Sequence, residues 1–301
     1  MTELQLNLKG VFPAMELRME EPLSRHTSFR IGGPAEVFAI PHSIEELQLL
    51  LEWAHKNGIV PKILGSGTNV LASDNGIRGL VICTRGCAER MERLDRTHIY
   101  VSAGISMARA AMFAASIGLS GLEFAHGIPG SVGGGLYMNA GAYGGEMKQV
   151  AVKTEYLDFM GNLHSLEGED QEFAYRHSAF TGKPRIIISG TFCLVPGAED
   201  EIKAKMQELI GKRKASQPLD LPSAGSTFKR PVGGYAAALI DQAGLKGYRV
   251  GGAAVSAKHS GFVVNLGGAT EADVLMLIED IREKVYQNSG IRLEPEVIQF
   301  R

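Results

Sequence analysis

The sequence predicts a mixed α/β fold, an α+β chain of more than one lobe, and three observations carry that prediction. Helix-like and strand-like apolar patterns alternate through the first half of the chain. A strand-like run feeds directly into a Gly-Ser-Gly turn at 65–67. A chain of 301 residues that is 45% hydrophobic buries a large core, and its length favours two or three lobes over one.

In chain order, Ser43-Ile-Glu-Glu46 has the form of a capping box. Ile44, Leu47, Leu50, Leu51 and Ala54 then repeat at helical spacing until Gly58, so a helix is expected there. Residues 59–64 are apolar and end at Gly65, as a buried strand entering a tight turn does, and 79–84 reads as a second strand. Residues 106–117, closed by Gly118, form a second helical pattern. Of the 37 glycines, ten lie between Gly118 and Gly145, a density that no ordinary helix or strand is expected to tolerate. From 151 to 159 apolar and polar residues partly alternate, Gly161-Asn162 offers a turn, and the pattern resumes at Leu163, so antiparallel strands are expected. Residues 185–195 make a further strand, and Pro196-Gly197 breaks it at a lobe boundary before a charged helix over 199–216. A last helix begins at Thr270, buries Val274, Leu277, Ile278, Ile281 and Val285, and stops at Gly290. Residues 291–300 read as a strand.

Charge and cysteine content exclude several classes of function. The 31 basic residues nearly cancel the 33 acidic ones, so no global field draws the chain to nucleic acid or to an anionic membrane. Cys83, Cys87 and Cys193 cannot all pair and lack metal-ligand spacing, which points to free thiols in a reducing compartment and to no metal site. No basic leader and no long uncharged apolar run is present, so a cytoplasmic protein without membrane insertion is expected.

The segment Leu64-Gly-Ser-Gly-Thr-Asn-Val-Leu71 can fold as a backbone nest whose N–H groups converge on an anion, helped by Ser66, Thr68 and Asn69. A plain tight turn fits it equally. It lacks the Gly-Lys-Ser/Thr ending of a Walker loop, and Val70 stands where a Rossmann fingerprint has glycine. The run 127–144 follows the same logic, since backbone approaches a large flat ligand only where side chains are missing. Interleaved Ile128, Val132, Leu136, Tyr137 and Met138 argue for packing rather than for a flexible linker. Three further segments, Tyr175-Arg-His-Ser178, 223–230 and 293–297, read singly as a surface charge, a turn serine and a solvent-facing glutamate, and together would supply a fixed cation, a hydroxyl proton donor and a carboxylate.

Here a resemblance becomes specific. His26-Thr-Ser-Phe-Arg-Ile-Gly-Gly-Pro-Ala35, the 65–71 loop, the 127–145 run, Tyr175-Arg-His-Ser178, Ala224-Gly-Ser-Thr-Phe228 and Glu294-Pro-Glu-Val297 follow one another in the order and spacing of the UDP-N-acetylenolpyruvoylglucosamine reductases. The chain resembles that family over nearly its whole length. The resemblance implies a two-lobe FAD-binding fold of the vanillyl-alcohol oxidase type with a C-terminal α+β substrate lobe. The implied division is 1–85 and 86–197 for the flavin lobes, 198–295 for the substrate lobe, and 296–301 as a terminal strand that returns to the first lobe.

It also implies the activity: FAD-dependent, NADPH-consuming reduction of UDP-N-acetylglucosamine enolpyruvate to UDP-N-acetylmuramate, for peptidoglycan synthesis and hence for cell-wall biogenesis, cell shape and cell division. By the same likeness Arg176, Ser226 and Glu296 are the catalytic residues, with Ser226 the proton donor. Gly65, Ser66, Gly67, Thr68, Asn69, Gly127, Ile128, Gly130, Ser131, Gly134, Asn139 and Gly141 would hold the flavin. Tyr175, Lys229, Tyr235, Lys258, His259 and Asn265 are substrate contacts. The short spacing from Arg176 to Ser226 matches a compact form without the extra substrate-covering loop that some members carry. His126 beside the flavin loop raises covalent attachment, but the family binds its flavin non-covalently.

Overall fold

The structure is a computed structural model that describes residues 1–301. The chain divides into two compact units, the first made of Met1–Met19, Val37–Ser66 and Gly79–Arg213, the second of Glu20–Glu36, Gly67–Arg78 and Lys214–Arg301.

The first unit contains helices α1 (Glu3–Val11), α2 (Ile44–Lys56), α3 (Met107–Ser116) and α4 (Val132–Tyr137), and nearly all of α5 (Glu199–Ser216). Helix α2 forms where its apolar spacing predicts, and Leu47, Leu50, Leu51 and Ala54 are buried with Leu8, Val37, Leu80 and Ile82. Its cap differs from the expected box. The Ser43 hydroxyl accepts the Glu46 N–H at 3.1 Å, while the Glu46 carboxylate accepts the N–H of His42 at 2.7 Å, one residue earlier than a reciprocal pair requires. The strand expected over 59–64 shrinks to Lys62–Leu64, parallel to Ile77–Cys83. Ile59 N–H instead closes back on the Ala54 carbonyl at 2.8 Å, and Pro61 has no N–H to offer a ladder.

A five-stranded antiparallel sheet follows, ordered Leu163–Glu167, Ala151–Asp158, Arg185–Cys193, His98–Ser102, Met91–Arg93. The predicted turn sits at Gly161, whose φ of +88° suits glycine. Ile99, Val101 and Phe192 of this sheet form one core with Met107 of α3 and Leu136 of α4. Helix α4 overturns the expectation that the glycine-dense run is neither helix nor strand, because Val132-Gly-Gly-Gly-Leu-Tyr137 is helical. A Cβ on Gly133 would meet the Ala103 Cβ at 2.9 Å, and one on Gly135 the Met107 Sδ at 2.7 Å. Tertiary packing closer than any side chain allows therefore outweighs helix propensity.

The second unit has an antiparallel sheet ordered Ser223–Ser226, Phe262–Asn265, Ala253–Val255, Arg249–Val250, with α6 (Ala236–Gln242) and α7 (Glu271–Ser289). Helix α7 carries a true capping box, Thr270 with Asp273, and ends at Gly290 with φ +71°. Its stripe Val274, Leu277, Ile278, Ile281 and Val285 is buried with Phe29, Ile31 and Leu71. Only Ile298–Phe300 of the strand expected over 291–300 forms, parallel to Val70–Ala72. Pro295 makes a lone bridge to Phe228 and breaks the ladder before it.

Candidate active site

The first glycine-rich loop is fixed at Leu64, Gly67 and Asn69. Thr84 N–H holds the Leu64 carbonyl at 2.9 Å. Gly67 has φ +64°, and a Cβ there would lie 2.0 Å from the His26 carbonyl oxygen, so no other residue fits without moving backbone. Its own carbonyl accepts the Ser28 N–H at 2.9 Å, and the Ser28 hydroxyl donates to the Ser223 carbonyl at 2.6 Å. Asn69 accepts the Ile298 N–H at 3.0 Å through its backbone and donates to the Glu296 carbonyl at 3.3 Å through its amide. Ser66 and Thr68 are half-buried.

The two glycine-rich segments touch, since a Cβ on Gly65 would sit 3.0 Å from the Ser131 hydroxyl oxygen. Buried Ser131 caps α4 by accepting the Gly134 N–H at 3.2 Å, and the Gly130 carbonyl accepts the Met107 N–H at 3.0 Å. Gly127 and Ile128 are half-buried beside them, and the buried Nδ1 of His126 makes no hydrogen bond. Side-chain-free backbone and an orphaned imidazole nitrogen fit a ligand with a diphosphate and many acceptor atoms, as the proposed flavin dinucleotide has.

Arg176 projects from a tight turn whose ends, Ala174 and His177, exchange both backbone hydrogen bonds at 3.1 Å. Its φ is +54°, unusual for a residue with a Cβ, and its guanidinium lies 4.9 Å from the centre of the Tyr175 ring. Two side chains tie this turn to the C-terminal end of α4. Asn139 donates to the Ala174 carbonyl and to the Glu146 carboxylate, both at 3.1 Å, and accepts the Lys148 N–H at 2.9 Å. Fully buried Ser178 donates to the Tyr137 carbonyl at 2.7 Å. The amide of Asn139 is thus committed to the protein, and the residue acts as a brace of the turn. Gly141 lies opposite Glu146 in the hairpin that Asn139 holds.

In the second unit the strand register brings two of the sequence-predicted catalytic residues to one place. Ser226 is exposed at the end of its strand, after Gly225 with φ +78°. The next residue, Thr227, is buried, accepts the Val263 N–H on its hydroxyl at 2.9 Å, and accepts the Glu296 N–H on its carbonyl at 2.8 Å. Glu296 is therefore pinned one residue from Ser226 and, through its own carbonyl, to Asn69 of the glycine loop. Lys229 is paired with Glu294 by both backbone and side chain.

The expected substrate contacts are not alike. Tyr175 and Tyr235 are exposed, the latter under the Arg230 guanidinium at 4.4 Å. Lys258 is exposed and donates to the Lys214 carbonyl at 2.6 Å. His259 is half-buried, and burial holds its pKa below the ordinary imidazole value. Asn265 is buried and committed, donating to the Phe29 carbonyl at 3.0 Å and accepting the Gly267 and Ala269 N–H groups. Sequence reasoning missed the anchoring roles of Ser178 and Thr227. Their only signal was a small hydroxyl residue beside each motif's reactive residue, within two positions.

Comparison with known proteins shows the family. Residues 217–300 match the C-terminal domain of UDP-N-acetylenolpyruvoylglucosamine reductase, and residues 35–167 match an FAD binding domain. The chain is 48% identical over 290 residues to the UDP-N-acetylenolpyruvoylglucosamine reductase of Caldanaerobacter subterraneus, covering 96% of this chain and 95% of that one. It is 44% identical over 291 residues to the enzyme of the same name from Listeria monocytogenes, covering 97% of each. Among solved structures it is similar to the UDP-N-acetylenolpyruvylglucosamine reductase of Thermus caldophilus, with a TM-score of 0.80 at 34% identity over 95% of this chain and 99% of that one. A BBE-like protein of Physcomitrella patens, 16% identical with a TM-score of 0.51 over 65% of this chain and 45% of its own, shares the fold alone.

Proposed function

The chain belongs to the UDP-N-acetylenolpyruvoylglucosamine reductase family, and from that premise we propose how its own residues carry out the reaction. The protein is an FAD-dependent, NADPH-consuming oxidoreductase that reduces the enolpyruvyl ether of UDP-N-acetylglucosamine to UDP-N-acetylmuramate for peptidoglycan synthesis. Bound FAD supplies hydride chemistry between NADPH and the methylene carbon of the enol ether.

The protein's part is to stabilise the charge that then develops on the carbon beside the substrate carboxylate, and to protonate that carbon. Arg176, held rigid by Asn139 and Ser178, pairs with the carboxylate and draws the developing charge onto its oxygens. Glu296 is the second group assigned to polarise that carboxylate. Ser226 gives its hydroxyl proton to the carbon, assisted by the cationic Lys229. The observation that best supports this reading is the 2.8 Å bond from Glu296 N–H to the Thr227 carbonyl, which ties the Glu296 backbone to the residue that follows the exposed serine.

Gly65, Ser66, Gly67, Thr68, Asn69, Gly127, Ile128, Gly130, Ser131, Gly134 and Gly141 shape the flavin site, and Asn139 braces it. Tyr175, Tyr235, Lys258 and His259 meet the nucleotide-sugar, and Asn265 supports that surface. We assign 1–85 and 86–197 to the flavin lobes, 198–295 to the substrate lobe and 296–301 to a strand that completes the first. The flavin is held non-covalently. No helix is long and apolar enough to cross a membrane, and we place the enzyme in the cytoplasm, serving cell shape and division through the wall. Stopped-flow measurement of the two half-reactions tests the roles. Ser226→Ala is expected to leave flavin reduction by NADPH intact and to slow reoxidation by the enolpyruvyl sugar by about 10²–10⁴-fold. Equal slowing of both would remove Ser226 as proton donor.

A further inference from the structure

We propose that Arg213, with the imidazole of His126 and the hydroxyl of Tyr143, forms a phosphate-oxyanion subsite beside Gly127, which anchors the diphosphate of a bound nucleotide. Helix α5 buries Ile202, Met206 and Leu209, and Arg213 is the next position on that stripe. A cation placed on an apolar face needs a counter-charge. Arg213 is half-buried there, burial holds its pKa below the ordinary guanidinium value, and no carboxylate of the protein pairs with it.

Three separate elements bring the subsite together. A Cβ on Gly127 would lie 3.5 Å from the Arg213 Cδ, so the arginine stem lies along the second glycine-rich segment. The preceding residue, His126, holds its buried Nδ1 without a partner. Tyr143 sits at the tip of the hairpin Gly141–Ala142 with Gly145–Glu146, at φ +54°, a conformation a bulky residue rarely adopts. Gly145 of that hairpin is pressed against Phe124, two residues before His126, since a Cβ on it would lie 2.5 Å from the ring. A guanidinium, an imidazole N–H and a phenol present donors and one fixed positive charge, the complement of a phosphate oxyanion. Three ligands of this enzyme carry a diphosphate: the flavin cofactor, NADPH and the nucleotide-sugar. The position beside Gly127 favours the cofactor, and to that extent the inference rests on the flavin reading above.

The test compares flavins with and without phosphate. Deflavinated protein carrying Arg213→Gln or Arg213→Lys is titrated with FAD and with riboflavin by quenching of flavin fluorescence, and circular dichroism reports the fold. Arg213→Gln is expected to weaken FAD binding by about tenfold or more, with riboflavin changed by less than about twofold and Arg213→Lys intermediate. The FAD affinity of the unsubstituted protein should also fall more steeply with salt than that of Arg213→Gln. Unchanged FAD binding with a matching rise in KM for the nucleotide-sugar or for NADPH assigns the oxyanion to that ligand. Unchanged values for all three, or equal losses for FAD and riboflavin, overturn the subsite. Failure of the flavin reading itself shows separately, as an unsubstituted protein that binds neither flavin.

Discussion

Replacing Asn139 by glycine removes the brace of the Arg176 turn while keeping a backbone that accepts the observed φ of +43°. Three partly buried hydrogen bonds are lost, to the Ala174 carbonyl, the Lys148 N–H and the Glu146 carboxylate. At about 0.5–1.5 kcal/mol for each neutral bond and about 1.5–3 for the charged one, the loss is about 2.5–6 kcal/mol. The effect on activity is expected to be selective. Arg176 hangs from Ala174, and a displacement of the order of 1 Å in a positioned charge can cost roughly 10²-fold in rate. Urea unfolding would give the stability change, and stopped-flow absorbance would give the two half-reactions separately. Flavin reduction by NADPH should stay within about threefold, while reoxidation by the enolpyruvyl sugar falls by roughly 10²-fold. Asn139→Asp should be at least as damaging, because it keeps the acceptor for Lys148 but sets a second carboxylate against Glu146. A destabilised Asn139→Gly enzyme with both half-reactions intact would refute the positioning argument. So would an equal fall in the two.

Three other outcomes follow from particular contacts. Gly67→Ala places a Cβ 2.0 Å from a backbone oxygen at φ +64°; the φ alone costs about 1–2 kcal/mol, and FAD affinity measured by fluorescence should fall at least about tenfold. Cys193 is exposed, whereas burial raises the Cys83 pKa and pushes that of Cys87 up to about 12, so mass spectrometry after brief alkylation of the native enzyme should find one modified thiol, Cys193. Burial depresses the His259 pKa, so below about pH 6.5 the unfolded chain binds a proton that the folded one resists, and stability falls as pH falls. That acid-side slope should be shallower in His259→Gln by thermal melts at a series of pH values.

Much of this arrangement was legible in the residues because local rules and tertiary packing agree there. Helix α5 occupies the predicted 199–216, and α7 starts and stops at its predicted cap and glycine, since propensity, pattern and capping all favour the same ends. The rule failed where packing overrides propensity. Three consecutive glycines in α4 read as a helix breaker, yet they are what lets the helix lie against Ala103 and Met107. The run 291–297 has strand composition, but Pro295 and the separate bonds of Glu296 to Thr227 and of Ile298 to Asn69 divide it between two partners. At the site, Arg176, Ser226 and Glu296 were unremarkable by residue type alone and became candidates only through the family resemblance of the motifs that hold them. Their supports were hidden because Asn139, Ser178 and Thr227 act through backbone atoms 35, 41 and 36 positions away.

The central claim is that Ser226 protonates the substrate carbon on a cofactor already reduced by NADPH. The direct measurement is anaerobic: the FAD-loaded enzyme is bleached with one equivalent of NADPH, the enolpyruvyl nucleotide-sugar is added in deuterium oxide, and the product is read by mass and by NMR. The account predicts that the yellow spectrum returns as one solvent deuteron enters at the carbon beside the carboxylate, and that Ser226→Ala slows this return by about 10²-fold or more without slowing the bleaching. A reduced enzyme whose spectrum the sugar does not restore, or a Ser226→Ala enzyme that deuterates product at the normal rate, would contradict it.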